Sequence, residues 1–287
     1  MKKPQYITLI VAFAVLGLLW AFGKTKSDAV AHSHEGHDHA ADVTATSSFS
    51  IDSAIASAKN TLRPQSISNI DLLENSIEKA TGNEQKIHAF HQLSQYWKDS
   101  VKAFIPYAWY VGEGARLENS EKNLNFAGHL FLNNLQNVEN AEISKWMALQ
   151  AKDLFERSLT INPDNDSAKV GLGSTYMFGG ISNAPMEGIA KIREVVEKDS
   201  TNIYAQMTLA TGSLMSGQTE KAKERLETVT RLDAKNLQAV LMLADVYEKL
   251  GEKNGAIEYY QKALSEIDHP EMKSELEKRI KALKEHN

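Results

Sequence analysis

Four histidines are the side chains with the clearest capacity for metal chemistry. They are His32, His34, His37 and His39, which lie within eight residues of one another and alternate with small and acidic residues. Imidazole and carboxylate groups are good ligands for Zn²⁺ and Cu²⁺, and a flexible chain can wrap such an ion. Two interpretations stay open: the tract captures Zn²⁺ or Cu²⁺ weakly for a partner, or it is a solvated spacer.

A second histidine pair lies on one predicted helix face. His88 and His91 are three residues apart, and Glu84 lies one turn earlier. The three side chains form at most part of a metal site, because no further ligand is in register with them. A pair of surface histidines is the simpler interpretation, and we predict no metal centre here.

Catalytic signatures are absent from the sequence. It contains no GxGxxG, P-loop, GxSxG or HExxH pattern, and it has no cysteine. We therefore predict that the chain is not an enzyme, has no resident cofactor and takes no small-molecule substrate. The net charge of −5 likewise gives no general basic field for nucleic acid.

The N-terminus has the pattern of a membrane segment. Two lysines precede residues 6–23, which carry no charge and are long enough to span a bilayer as a helix. The slight positive excess at the N-terminus favours export of the rest of the chain. We predict an uncleaved anchor over 1–23 in a bacterial inner membrane, with the remainder in the periplasm. The alternative is a signal peptide cleaved after Ala31, although Lys24 and Lys26 fit cleavage poorly.

The body of the chain repeats itself. Residues 203–236 superimpose on residues 237–270 at a shift of 34 residues. Identical residues coincide at several helical positions: Leu209 with Leu243, Ala210 with Ala244, Gly217 with Gly251, and Ala222 with Ala256. A 34-residue period built from two short helices is typical of stacked repeats, in which each unit covers the apolar face of its neighbour.

These positions resemble the tetratricopeptide repeat family. The pattern Leu243-Ala244-x-x-Tyr247 resembles the first helix of that repeat, and Ala256-x-x-x-Tyr260 resembles the second. The resemblance implies an all-α fold, an α-solenoid of helix-turn-helix units whose first helices line a concave groove for peptides or helices. It also implies a non-enzymatic scaffold for a protein partner.

The predicted organisation has five parts. An anchor over 1–23 and a flexible His-rich linker over 24–49 precede N-terminal helices over 50–83, a repeat domain over 84–270 and a capping helix over 271–287. Within the repeat domain we predict units at 86–119, 121–165, 166–202, 203–236 and 237–270. The second unit carries about eleven residues more than the usual period, and we place this insertion at 136–146.

Helical spacing on the first helices of the last three units predicts a partner groove. It consists of Val170, Ser174, Met177, Phe178, Tyr204, Met207, Thr211, Leu214, Met215, Gln238, Leu241, Met242 and Asp245. Methionine is flexible and is common on surfaces that accept varied apolar ligands, so we expect an apolar peptide or amphipathic helix as the ligand. Packing between units is the alternative role for the same side chains.

Overall fold

Helices form all the regular structure in the part of the chain described by the computed structural model, residues 48–181 and 185–285, and this part contains no strand. The thirteen α-helices there are α1 Ile51–Asn60, α2 Pro64–Lys79, α3 Asn83–Gln95, α4 Phe104–Glu118, α5 Glu121–Leu132, α6 Ala141–Ile161, α7 Asp166–Phe178, α8 Pro185–Lys198, α9 Ile203–Met215, α10 Thr219–Leu232, α11 Leu237–Lys249, α12 Lys253–Glu266 and α13 Pro270–Glu285.

The predicted anchor over 1–23 and the four histidines of the linker lie outside the described residues. Across 48–181 and 185–285, no helix is both long enough and apolar enough to span a bilayer. The last two residues of the predicted linker contact α6. Both the backbone N–H and the hydroxyl of Ser48 donate to Glu142 Oε2 at 3.0 Å, and the Phe49 ring lies 4.9 Å from that of Trp146.

Consecutive helices pack as antiparallel pairs, and each core region joins one pair to the next. Val170 of α7, Ile192 of α8 and Leu209 of α9 share one such region. The next joins α9 and α10 to α11, and the one after that joins α11 and α12 to α13. The core is therefore a row of local contacts along the chain, as expected when each unit buries its apolar face on its neighbour.

Asparagine side chains begin the first helices of the last three pairs. The Oδ1 atoms of Asn165, Asn202 and Asn236 accept from the backbone N–H three residues later at 2.9–3.0 Å. Such caps satisfy N–H groups that have no partner inside the helix. The same polar residue therefore fixes the start of α7, α9 and α11.

Left-handed glycines follow the first helices of the last two pairs. Gly217 and Gly251 have φ angles of 74° and 76°, in the region that glycine enters without steric cost. Pro185 opens α8, because proline fits the first turn of a helix.

Extra residues in the second pair lengthen a helix and do not form a long loop. After a short 3₁₀ turn at Leu135–Asn137, α6 runs for 21 residues. Its first two turns bring in Trp146, whose ring lies 6.0 Å from that of Trp109 and 5.7 Å from that of Phe131. The insertion thus adds an aromatic cluster to the N-terminal half.

The first pair departs from a regular helix at its centre. Leu93 lies in α3, but Trp97, one helical turn further on, does not. Trp97 is fully buried in a π-helical turn, Tyr96–Val101, which ends at Lys102 with a φ of 61°. A wider helical turn of this kind accommodates one extra residue and reorients the side chains beside it.

Helix backbones come closest within the third pair. A Cβ added at Gly188 would lie 2.4 Å from the Gly173 carbonyl oxygen, and one added at Gly173 would lie 2.7 Å from the Gly188 oxygen. The Phe155 ring fills a similar gap, since a Cβ at Gly128 or Gly171 would come within 2.8 Å or 2.4 Å of it. Only glycine permits these contacts without a shift of the helices.

We expect Gly188→Ala to lower the free energy of unfolding by about 1–3 kcal/mol, because its Cβ meets backbone that cannot yield without moving α7. Urea unfolding followed by circular dichroism measures the change. Gly114→Ala in α4 is the matched control, because its Cβ would make ordinary contact with Phe90 at 3.4 Å. It should be neutral or should stabilise by up to about 1 kcal/mol through helix propensity. Equal effects of the two substitutions would contradict the close approach.

Candidate functional site

The first helices of three successive pairs meet at one inner face. The ring of His129 on α5 lies 5.6 Å from that of Tyr204 on α9, so these side chains touch across α7. Ser167 of α7 lies beneath, with its Oγ 2.9 Å from His129 Nε2. Helices two units apart make such a contact only where the inner surface is strongly concave.

A group of polar side chains lines this concave face. We call Asn125, His129, Ser167, Ser174 and Tyr204 the inner polar cluster. Asn125 Nδ2 donates to Ser167 Oγ at 3.3 Å, which links α5 to α7 a second time. Ser174 is buried, and its hydroxyl donates to the Val170 carbonyl at 2.7 Å.

One acceptor of the inner polar cluster has no donor. Asn125 Oδ1 is buried, and no hydrogen bond reaches it from the residues that the structure describes. A buried carbonyl oxygen without a donor costs free energy, so this atom is a point of local destabilisation beneath the inner face.

Burial governs the ionisation of the cluster. It lowers the pKa of His129 below the ordinary histidine value, because the ring packs between Phe155 and Tyr204 and only the neutral form avoids the desolvation cost. Burial raises the pKa of Tyr204, and the Ser174 hydroxyl opposes that shift. Both side chains are therefore uncharged at neutral pH.

Two predicted groove residues belong to the core. Val170 is fully buried against Ile192 and Val195 of α8, and Ser174 is 3% exposed, so the prediction that they lie on an open surface is wrong for both. They occupy the predicted side of α7, but α8 and the next first helix cover that side. Helical spacing cannot show how closely the neighbouring helices approach.

Most of the apolar groove residues are half-buried and hold neighbouring units together. Met177 packs on the backbone of α9, where a Cβ at Gly212 would lie 2.2 Å from its methyl carbon. Met207, Leu214 and Met242 pack on the core shared by α9, α10 and α11. The remaining half-buried members are Phe178, Thr211 and Leu241. Their outer edges alone are available to a ligand.

Three predicted groove residues are exposed. Met215 is 69% exposed at the end of α9, and Gln238 and Asp245 are exposed on α11. Asp245 is already engaged, because its Oδ1 accepts from Tyr260 at 2.6 Å and from Arg279 Nη1 at 2.9 Å. Arg279 lies on α13, so this carboxylate fastens the last helix to the final pair.

Ser167 is not among the predicted groove residues. It is the second residue of α7, as Tyr204 is of α9 and Gln238 is of α11. Tyr204 and Gln238 were both predicted as groove residues. If α7, α9 and α11 are aligned at their first residues, Ser167 takes the same position as Tyr204 and Gln238. Alignment of the apolar positions alone does not reveal this match.

The described residues provide no metal centre. Glu84, His88 and His91 are all exposed, and no group of three His, Asp or Glu side chains in this part of the chain is placed to hold an ion. The predicted ligands His32, His34, His37 and His39 lie outside this part.

Antiparallel helix pairs that stack along the chain around a concave inner face define an α-solenoid, a class of proteins that bind their ligands on extended curved surfaces. A family model described as tetratricopeptide repeat matches residues 213–276, which cover the last two pairs and the start of α13. The last two pairs are therefore similar to tetratricopeptide repeats. Proteins built from such repeats are in general non-enzymatic scaffolds for protein partners.

Several solved structures are similar to parts of this chain. PilF from Pseudomonas aeruginosa is 16% identical over 71% of this chain and 87% of its own, with a TM-score of 0.51. MamA from Desulfovibrio magneticus RS-1 is 19% identical over 65% of this chain and 97% of its own, with a TM-score of 0.44. YrrB, described as a TPR protein with an unusual peptide-binding site, is 17% identical over 72% and 97%, with a TM-score of 0.41. No curated protein sequence matches the chain.

The lowered pKa of His129 predicts how stability responds to acid. At pH values between the pKa of His129 in the folded chain and the ordinary value of 6.5, this ring is protonated in the unfolded chain but not in the folded chain. His129 therefore reduces the free energy of unfolding as the pH falls below about 6.5. We expect the unfolding free energy of His129→Phe to fall less than that of the wild type between neutral pH and pH about 5. His88→Gln is the control, since His88 is exposed. Parallel profiles for wild type and His129→Phe would contradict the burial effect.

Proposed function

We propose that this chain is a membrane-tethered scaffold whose concave face binds an apolar segment of a partner protein. The contact between His129 and Tyr204 across α7 is the observation that carries this proposal. It brings residues of α5 and α9 together across α7, so that three first helices contribute to one face. Helix-in-groove and extended-peptide recognition both use surfaces of this kind.

The chemistry of the face supports an apolar ligand. The half-buried edges of Met207, Leu214 and Leu241 offer apolar contact. A partner segment with apolar side chains would complement these edges. No charged cluster among these residues calls for a strongly acidic or basic ligand.

The membrane tether rests on the sequence of residues 1–23. An anchor there would hold the solenoid close to the bacterial inner membrane, with the repeats in the periplasm. Tethering raises the effective concentration of the groove toward other membrane-bound proteins, so a weak contact suffices for occupancy. With a tether, the groove can be occupied even though its exposed apolar area is small.

A metal-handling role is the alternative, and it depends on His32, His34, His37 and His39. Four imidazoles on a linker between membrane and solenoid could capture Zn²⁺ or Cu²⁺ for a partner bound by the repeats. In that case the solenoid would still be the partner-binding part. The scaffold function is therefore common to both proposals.

Exposed methionines offer a matched test of the groove. Met215 lies on first helix α9 and is 69% exposed, whereas Met186 lies on second helix α8 and is 63% exposed. We expect Met215→Asp to weaken partner binding by more than about 1 kcal/mol, because a charge would be desolvated against an apolar ligand. Met186→Asp should leave binding unchanged.

Photo-crosslinking residues placed at 215 and at 186 in cells make the comparison, with captured proteins identified by mass spectrometry. Position 215 should capture a defined partner, and Tyr204→Ala should reduce that capture while circular dichroism stays unchanged. The same partners captured equally from both positions would move the binding surface away from the first helices.

The tether has its own test. We expect the full chain to remain in the membrane fraction after alkaline carbonate extraction, because about 18 apolar residues partition into the bilayer core. A variant that lacks residues 1–23 should be released. External protease should degrade the repeats in spheroplasts but not in intact cells. Release of the full chain by carbonate, or protection in spheroplasts, would contradict the anchor or its orientation.

A further inference from the structure

A crevice between the third and fourth pairs collects positive charge. Two adjoining cavities, of about 50 Å³ and 440 Å³, open between α8, α10 and the turn that joins α9 to α10. Arg193, Lys221 and Arg225 line both cavities. The crevice is formed mainly by second helices, so it is separate from the inner polar cluster.

The inner cavity contains cations without anions. Its charged lining residues are Arg193, Lys221 and Arg225, and no carboxylate lines it. Ser213 and Ser216 add hydroxyl groups. The outer cavity also has Glu197 and Glu224 in its lining, so three cations face two anions there. The same three cations line both cavities, and the two carboxylates line only the outer one.

None of the three cations has an ion-pair partner in the described part of the chain. Arg225 Nη1 donates to Gln206 Oε1 at 2.9 Å, and Lys221 Nζ donates to Gln218 Oε1 at 2.7 Å. Both acceptors are neutral amide oxygens. The bonds therefore orient the two side chains but supply no negative charge. By contrast, Arg116 binds Asp153 at 2.7 Å.

The surroundings of Arg225 add to the unbalanced charge. Gln206 is 6% exposed, and its Nε2 donates to the Ser200 carbonyl at 2.9 Å, which holds the acceptor of Arg225 in place. Burial, and then the charge of Arg193, lower the pKa of Arg225, while Glu224 acts in the opposite direction. The two guanidinium groups line the same two cavities, where Arg225 is partly buried and Arg193 is exposed.

The walls of the crevice strengthen its field. Met177, Ile189 and Leu209 form an apolar side. A cleft with low-dielectric walls and charges of one sign concentrates the electric potential and attracts counter-ions. Guanidinium groups in addition offer paired N–H donors that match the oxygens of phosphate.

We propose that this crevice is an anion site that binds a phosphate group through Arg193, Arg225 and Lys221. Three cations match the charge of a dianion better than they match the single charge of a carboxylate. The small inner cavity has room for one compact group. The site goes beyond the proposed scaffold function, because it lies apart from the concave face and takes a different class of ligand.

Titration of the full chain in detergent with inorganic phosphate, followed by isothermal calorimetry, tests the assignment. We expect saturable binding, and we expect Arg193→Gln to weaken it by at least about tenfold, because a charge-assisted contact is lost. Arg193 makes no hydrogen bond or ion pair among the described residues, so this variant should fold normally. Arg225→Lys keeps the charge but removes the paired donors, and it should also weaken binding.

Arg231→Gln is the matched control, since Arg231 is exposed on the same helix, α10, and lines neither cavity. It should bind phosphate as the wild type does. Acetate should bind at least about tenfold more weakly than phosphate, because a monoanion leaves two cations uncompensated. Any one of three results would overturn the proposal. The first is no saturable binding up to about 10 mM phosphate. The others are equal weakening by Arg193→Gln and Arg231→Gln, and equal affinity for phosphate and acetate.

Discussion

Backbone contact between helices is the constraint on which the middle of this solenoid depends. In the third pair, Gly173 and Gly188 bring α7 and α8 together until a carbonyl oxygen occupies the space of a missing side chain. Phe155 fills the adjacent gap between Gly128 and Gly171. A close-packed interior leaves no room to absorb a Cβ at these points, so the glycines set the distance between neighbouring helices.

This close approach also shapes the surface. When α5 and α7 lie on either side of one Phe155 ring, the side chains on their inner faces converge, and His129 reaches Tyr204 on α9. The same convergence buries His129 and isolates Asn125 Oδ1 from any donor in the described chain. The polar character of the concave face and its curvature therefore have one physical origin.

Several features follow from local sequence alone. The 34-residue repeat of small and apolar residues, the left-handed glycines at 217 and 251, and the proline that opens α8 are determined by preferences of a few neighbouring residues. The groove residues were harder to predict. Helical spacing put Val170 and Met177 on the same face as Met215, although the first is fully buried, the second packs on α9 and the third is 69% exposed.

The sequence by itself determined the helical repeat, the absence of catalytic motifs and the apolar pattern of residues 1–23, because each is recorded in residue types a few positions apart. Tertiary structure decided which side of each first helix stays open, how Ser167 joins Asn125 and His129, and that Arg193 and Arg225 line one crevice. These juxtapositions join residues about 30 to 40 positions apart. They depend on the distance and the angle between stacked helices. Glycine contacts and ring packing determine both quantities, and the periodicity within a single helix does not predict them.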